Sequence, residues 1–203
     1  MSGSTSIVYS HPQVYHWVMR LLYGRAFDAR YQALSELIAD TGDVFEACAG
    51  DGYLYRRYLA PRGVSYRGGD INPVFLAHAA RHGIPMAPFD LWRDEVPRAD
   101  VVLLHASLYQ FMPDHRRVVD KLLGAARRSL IISEPVKNLS SASFRPIAWL
   151  ARRSANPGDG DKPARFDEQS LDAFFAEHYA ERLDRSLLIP GGREKIYCLR
   201  GSA

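Results

Sequence analysis

The sequence predicts an α/β fold with a doubly wound, mostly parallel seven-stranded sheet, an antiparallel C-terminal hairpin and N-terminal helices. Three observations carry this prediction. From residue 43 onward, short apolar runs alternate with amphipathic helical stretches, which is typical of right-handed βαβ units. A loop with two glycines follows the first run. The last two runs are joined through Gly191 and Gly192.

Residues 1–42 are predicted to form a helical cap. Apolar residues recur at spacings of three and four between residues 14 and 22, and again between 31 and 38. The turn residues Asp40-Thr41-Gly42 then end the second pattern. Because 203 residues fit one domain, we expect this cap and a core at 43–203 to form a single domain over 1–203.

Seven strands and four helices are expected in the core. The predicted strands are 44–47, 64–69, 85–89, 100–104, 129–133, 183–190 and 195–200. The predicted helices are 53–59, 74–82, 115–126 and 167–179. The last two strands must be antiparallel, because the loop between them is too short for a crossover.

Residues 138–166 interrupt the alternation and are interpreted as a lid with one short helix. The segment mixes serines, an apolar run and Asn156-Pro157-Gly158, and loops this long in a compact domain are usually functional or disordered. Its basic residues suit an acidic ligand, although a solvated charged face explains them equally simply. They are Arg145, Arg152, Arg153, Lys162 and Arg165.

Composition narrows the classes of function. The net charge of +3 is mild and no block of like charges occurs, so nucleic acid is permitted rather than indicated. Two cysteines make neither a disulfide scaffold nor a zinc set. No signal peptide and no apolar run long enough for a bilayer occurs, so we expect a cytoplasmic protein without a membrane partner.

The loop after the first predicted strand indicates a nucleotide-type ligand. Gly50 and Gly52 allow close approach of the backbone, and the following helix presents unpaired N–H groups. The dinucleotide pattern GxGxxG fails, because Cys48 and Tyr53 stand where it needs small residues. The triphosphate pattern fails too, because Gly-Lys-Ser and Gly-Lys-Thr are absent from the sequence.

Acidic residues stand at the ends of three successive predicted strands. Glu46 and Asp51 would repel a pyrophosphate but suit a ligand with an ammonium and a sulfonium group. Asp70 is placed to accept both hydroxyls of a ribose, and we expect it to be exposed without ligand. Asp90 is placed to accept a hydrogen bond from an adenine amino group. Each acid alone is also explained as a helix cap.

Four segments, taken together, resemble the motifs of the class I S-adenosylmethionine (SAM)-dependent methyltransferases, which have a Rossmann-like fold. They are Glu46-Ala-Cys-Ala-Gly-Asp-Gly52, Gly68-Gly-Asp-Ile-Asn-Pro73, Phe89-Asp-Leu91 and residues 100–111. The resemblance covers about residues 43–200. Cys48 departs from the pattern, because it stands where the family usually has its first glycine.

The resemblance implies SAM as co-substrate, and we expect no metal. Phe89, Leu91 or Ile71 would pack on the adenine ring. The expected SAM contacts are Glu46, Ala47, Gly50, Asp51, Gly52, Asp70, Ile71, Asn72, Phe89, Asp90, Leu91 and His105.

Three residues are candidates for catalysis. His105 follows the fourth strand, where amino-group methyltransferases carry the Asn of an Asn-Pro-Pro-Tyr motif that is absent here; a histidine there suits a general base or a structural hydrogen bond. Tyr109 would orient the acceptor or begin a helix. Glu134, at the end of the fifth strand, would face the acceptor or form a salt bridge.

The leading hypothesis is a SAM-dependent methyltransferase that methylates oxygen, nitrogen or carbon of a small-molecule acceptor. Methyl transfer mainly requires positioning of the acceptor and exclusion of water. A nucleic-acid methyltransferase and a catalytically silent methyltransferase-like partner protein remain as alternatives. Nucleic acid is not expected as a partner, because no RNA-binding module is attached. The sequence predicts neither the acceptor nor the oligomeric state.

Overall fold

The computed structural model describes residues 20, 24, 26–40, 42–136 and 166–202. The predicted lid at 138–166, except Phe166, and most of the predicted cap at 1–42 lie outside the described residues. The helices are α1 (Ala26–Leu37), α2 (Pro73–Arg81), α3 (His115–Ala125) and α4 (Glu168–Tyr179). The strands are β1 (Asp43–Ala47), β2 (Ser65–Asp70), β3 (Met86–Pro88), β4 (Ala99–His105), β5 (Ala126–Pro135), β6 (Leu183–Leu188) and β7 (Glu194–Arg200).

The strands form one seven-stranded sheet in the order β3-β2-β1-β4-β5-β7-β6. The first five strands along the chain pair in parallel, whereas β7 is antiparallel to both β5 and β6. The predicted fold class is therefore confirmed, including the antiparallel hairpin. The strand order reverses between β1 and β4, and in open α/β sheets ligands bind in the crevice beyond the carboxyl ends of the strands at such a point.

The sheet separates two apolar clusters, one on each face. Alternate residues of a strand point to opposite faces, so Phe45 and Leu104 pack with α3 and α4 on one side. Val44 and Leu103 pack with α1 on the other side. The central strands are thus covered on both faces, as the continuous apolar runs in the sequence predict.

Several element boundaries differ from the predicted ones. β5 begins at Ala126 and ends at Pro135, so it is longer than predicted and shortens the preceding helix, α3. Most of the helix predicted at 53–59 is a π-helical turn (Tyr55–Leu59), and a 3-10 turn (Ala60–Arg62) follows it. Pro61 explains the end of regular helix, because it has no N–H to donate to an earlier carbonyl.

Candidate functional site

The loop after β1 lies at the point where the strand order reverses. Cys48, Gly50 and Gly52 have φ angles of 56°, 59° and 67°, which lie in the left-handed region. A Cβ atom built on Gly50 would meet nothing within 4 Å, so this backbone borders open space. A Cβ on Gly52 would lie 2.9 Å from the Ile84 side chain, so only glycine fits there. The loop can therefore accept a ligand against Gly50.

Cys48 takes up the left-handed backbone that glycine adopts at no steric cost. Its thiol is largely enclosed, and burial, with a smaller contribution from the nearby Asp70 carboxylate, raises the pKa of Cys48 to about 12. The thiol is thus protonated and a poor nucleophile at neutral pH. Cys48 therefore holds this conformation at the cost of local backbone strain.

Asp70 joins the end of β2 to this loop. Its Oδ2 accepts a hydrogen bond from the Gly50 N–H at 2.8 Å, and its Oδ1 accepts one from the Asn72 N–H at 2.8 Å. The residue is 9% exposed, so the expectation of an exposed ligand-free Asp70 is wrong. Two backbone donors draw the carboxylate inward. Burial raises the pKa of Asp70 despite these bonds.

Glu46 places a second carboxylate beneath the loop. It is 3% exposed and accepts a hydrogen bond from the Tyr66 hydroxyl of β2 at 2.5 Å. Burial, with a smaller contribution from the nearby Asp51 and Asp70 charges, raises the pKa of Glu46 to about 8. Asp51 itself caps the next helix, because its Oδ1 accepts from the Tyr53 N–H at 3.2 Å. Three acids therefore converge around Gly50.

The residues expected near adenine lie partly in the core and partly at the surface. Asp90 Oδ1 accepts a hydrogen bond from the Trp92 N–H at 2.9 Å and so closes the turn after β3. Phe89 and Leu91 are buried in the core. A Cβ on Gly69 would lie 2.6 Å from the Phe89 side chain, which explains the glycine. Ile71, by contrast, is 71% exposed next to Asp70.

Among the other expected contacts, Ala47 is buried at the end of β1. Asn72 caps α2, because its Oδ1 accepts from the Val74 N–H at 2.9 Å. Both residues lie at the same edge of the sheet as Gly50. Their side chains, however, are engaged in packing and capping.

His105 ends β4 in a buried polar cluster. Its Nε2 lies 2.8 Å from Oε1 of Glu194, the first residue of β7. The same oxygen accepts a hydrogen bond from the Ser133 hydroxyl of β5 at 2.5 Å. Arg30 of α1 lies 3.5 Å from the other carboxylate oxygen. Burial lowers the pKa of His105 more than the Glu194 charge raises it, so the ring is neutral at neutral pH.

Tyr109 packs on the α3 and α4 side of the sheet, and Glu134, which alternates with Ser133 along β5, points to the same side. Glu134 is fully buried, and its Oε1 accepts a hydrogen bond from the Leu108 N–H at 2.6 Å. It therefore anchors the 3-10 turn (Leu108–Phe111) that carries the partly buried Tyr109. Burial raises the pKa of Glu134 to about 8. Its observed partner is a backbone N–H, whereas the sequence suggested either an acceptor or a salt bridge.

Sequence reasoning did not find Glu194, Ser133 or Tyr66 as site residues. Glu194 is 89 positions from His105, and no local pattern marks two such distant residues as neighbours. Ser133 and Tyr66 read as ordinary strand residues. The antiparallel pairing of β7 with β5 places Glu194 opposite Pro135 and so brings it to the carboxyl edge of the sheet.

In the described ranges, no group of three or more His, Cys, Asp or Glu side chains is arranged to hold a metal ion. Within the same part of the chain, no helix combines the length and the apolar character that a bilayer span requires.

Comparison with solved structures identifies the fold as that of the class I SAM-dependent methyltransferases. Magnesium protoporphyrin IX methyltransferase from Synechocystis PCC 6803, solved with bound SAH, superposes with a TM-score of 0.65 at 18% identity over 91% of this chain and 86% of that one. Mitomycin 7-O-methyltransferase gives 0.64 at 15% identity over 97% of this chain, which spans 60% of that enzyme.

A third solved chain has the same fold under a different description. It comes from Rhodobacter sphaeroides, is named for a Zn-dependent alcohol dehydrogenase, and gives a TM-score of 0.62 at 18% identity over 91% of this chain and 97% of its own. No family model matches the chain. No curated protein matches it either. Likeness at these identities establishes the fold, and function has to be argued from the site.

Proposed function

We propose that the chain is a SAM-dependent methyltransferase that acts on a small-molecule acceptor. The observation on which this rests is that Glu46, Asp51 and Asp70 lie close enough to interact at the loop after β1, where Asp70 binds the backbone of Gly50 and Gly50 borders open space. Among the residues that the structure describes, neither Glu46 nor Asp70 forms an ion pair with Lys or Arg. An acidic pocket of this kind, in which a bound cation favours ionisation of Glu46, suits a cationic ligand and disfavours a pyrophosphate.

The residues present fit the parts of SAM. Glu46 would face the methionine ammonium, and the backbone at Gly50 would accept the chain of the ligand without steric conflict. Asp70 keeps lone pairs for ribose hydroxyls beyond the two that its backbone donors use. Exposed Ile71 offers an apolar surface for adenine, and Asp90 follows β3, the strand that pairs with β2 at the same sheet edge.

Bound SAM would supply an electrophilic methyl group on a sulfonium. The protein's own contribution is then to orient the acceptor, exclude water and hold a proton. The turn anchored by Glu134 carries Tyr109, four residues beyond His105 at the carboxyl end of β4. We assign acceptor binding to this region, because β4 adjoins β1 and its loop on the far side from β2.

A small acceptor is supported by the compared enzymes. Their descriptions name magnesium protoporphyrin IX and mitomycin, both small molecules. No specific observation on the described residues favours a nucleic acid. The cytoplasmic setting expected from the sequence remains part of this proposal.

Labelled SAM tests this function directly. The protein is incubated with methyl-labelled SAM and a cell extract that has been separated into small-molecule, nucleic-acid and protein fractions. We expect label in the small-molecule fraction. Label confined to nucleic acid or protein would contradict the acceptor class, and no transfer to any fraction would contradict the activity.

A further inference from the structure

The His105 cluster consists of His105, Glu194, Ser133 and Arg30, and it places charged side chains in the protein interior. Glu194 is 1% exposed, and Ser133 and Arg30 are equally enclosed. The four residues come from α1, β4, β5 and β7, so the cluster ties the described N-terminal helix to three strands. Buried ion pairs contribute little net stability, because desolvation offsets their attraction. A cluster of this kind at a ligand crevice therefore points to function.

The hydrogen bonds determine which ring nitrogen of His105 carries the proton. Burial alone would raise the pKa of Glu194, but the Arg30 charge and the hydrogen bonds from His105 and Ser133 hold it below its usual value. An ionised carboxylate only accepts hydrogen bonds. The Ser133 hydroxyl and the His105 Nε2–H must therefore be the donors.

The protonation state of the other ring nitrogen, Nδ1, follows from this assignment. A neutral imidazole has one N–H and one lone pair. Because Nε2 carries the hydrogen, Nδ1 carries the lone pair. Glu194 thus holds the ring in one tautomer, and its negative charge stabilises the imidazolium that would form if Nδ1 took up a proton.

We propose that Glu194 is a positioning residue for His105, that Nδ1 of His105 takes the proton of the acceptor, and that the acceptor is consequently an alcohol or a phenol. This inference rests on the proposed function and deepens it. A neutral hydroxyl is a weak nucleophile that gains from losing its proton during the transfer. A neutral amine attacks through its own lone pair, and a thiol ionises more readily by itself.

The step balances as follows. The acceptor O–H bond breaks and its proton binds Nδ1, while the acceptor oxygen forms a bond to the methyl carbon and the bond from that carbon to sulfur breaks. The positive charge of the sulfonium passes to the imidazolium beside Glu194. The products are a methyl ether and a neutral thioether, and His105 then returns its proton to water.

The free protein gives the first test. In ¹⁵N–¹H correlation spectra of the ¹⁵N-labelled wild type, we expect His105 to show a protonated Nε2 and an unprotonated Nδ1. Glu194→Gln should lose this single pattern, because an amide can either donate or accept. Glu177→Gln, on the exposed face of α4, is the matched control and should leave the pattern unchanged. A wild-type ring protonated at Nδ1 would overturn the proposal without any need for a folded variant.

The methylated atom gives the second test. With ¹³C-methyl SAM and the small-molecule extract, the carbon chemical shift of the product distinguishes O-methyl from N-, S- or C-methyl. We expect O-methyl, and a fall in kcat of about tenfold or more for Glu194→Gln with SAM affinity unchanged. Label on nitrogen, sulfur or carbon would overturn this inference alone. Absence of SAM binding by the wild type would instead defeat the proposed function.

The pH profile separates a positioning role from a structural one. The charged and titratable groups that face His105 are Glu194 from β7, Arg30 from α1, Tyr31 from α1 and Asp51 from the loop after β1. Removal of the Glu194 charge makes the imidazolium less favourable. We expect the acidic limb of the kcat profile to move to lower pH in Glu194→Gln, and an unmoved limb would contradict the proposal.

Discussion

The side chain of Asp70 and the backbone of Gly50 are joined by a hydrogen bond of 2.8 Å, which connects the end of β2 to the loop after β1. Asp70 thereby shapes the loop before any ligand is bound. The same carboxylate accepts from Asn72 and so also orients the start of α2. A residue predicted to bind ribose hydroxyls is thus part of the scaffold as well.

Substitution of Asp70 should affect both stability and SAM binding. Asp70→Ala removes the acceptor of two part-buried backbone N–H groups, so we expect the unfolding free energy to fall by about 0.5–1.5 kcal/mol per hydrogen bond. Asp70→Asn keeps one carbonyl oxygen and should fold more stably than Asp70→Ala. Denaturant unfolding and calorimetry with SAM measure the two effects. Asp184→Asn on exposed β6 is the control, and an unchanged SAM affinity in Asp70→Asn would refute the ribose assignment.

Cys48 offers a direct test of backbone strain in the loop. Cys48→Gly and Cys48→Ala both remove the thiol, but only glycine is relaxed at a φ of 56°. We expect the glycine variant to be more stable than the alanine variant by about 0.5–1 kcal/mol, measured by chemical denaturation. Equal stabilities, or a more stable alanine variant, would show that the loop does not hold the left-handed conformation.

Glu46 should make the stability of the free protein depend on pH. Burial raises its pKa from 4.5 to about 8, so between these values the folded chain binds more protons than the unfolded chain. Stability therefore falls as pH rises through this window. Glu46→Gln should flatten part of the fall, while Glu134, with its pKa also raised to about 8, leaves a remainder. Thermal unfolding across pH measures the difference, and identical slopes would contradict the assignment.

The same shift should couple SAM binding to proton release. A bound ammonium favours the Glu46 carboxylate, so below about pH 8 binding must displace a proton. We expect SAM affinity to rise with pH by at most about tenfold per pH unit and then level off. Titration calorimetry in buffers of different ionisation enthalpy measures the released proton. Proton release that persists in Glu46→Gln would assign it to another group.

Glu134 is expected to act through the turn that it anchors. Glu134→Ala removes the acceptor of the buried Leu108 N–H, which should cost about 1–3 kcal/mol of unfolding free energy. Glu134→Gln retains a carbonyl oxygen and should cost less. If both variants unfold like the wild type, the buried contact does not hold the turn, and Tyr109 would need another support.

The fold was predictable because its signals are local. Apolar runs of strand length, helical spacing between them and the Gly191-Gly192 loop are each contained in a few residues, and together they predict the parallel sheet and its hairpin. The predicted positions of the ends of helices and strands were less accurate. The boundary between α3 and β5 has no intervening loop to mark it, since Ala125 ends the helix and Ala126 begins the strand.

The site was predictable where it follows the strand ends and not where it depends on distant pairing. Glu46, Asp51 and Asp70 lie near one another because parallel strands end at one edge. The burial of Asp70 depends on two backbone donors that a sequence does not display. The pairing of His105 with Glu194 depends on the antiparallel register of β7, which sets the depth of Glu194 in the sheet.

Titration calorimetry of the wild-type protein with SAM and with S-adenosylhomocysteine tests the central claim most directly. The geometry around Gly50 predicts saturable binding of one molecule of either ligand per chain, weakened in Asp70→Asn and preserved in Asp184→Asn. A folded wild-type protein that takes up neither ligand would contradict the account at its base.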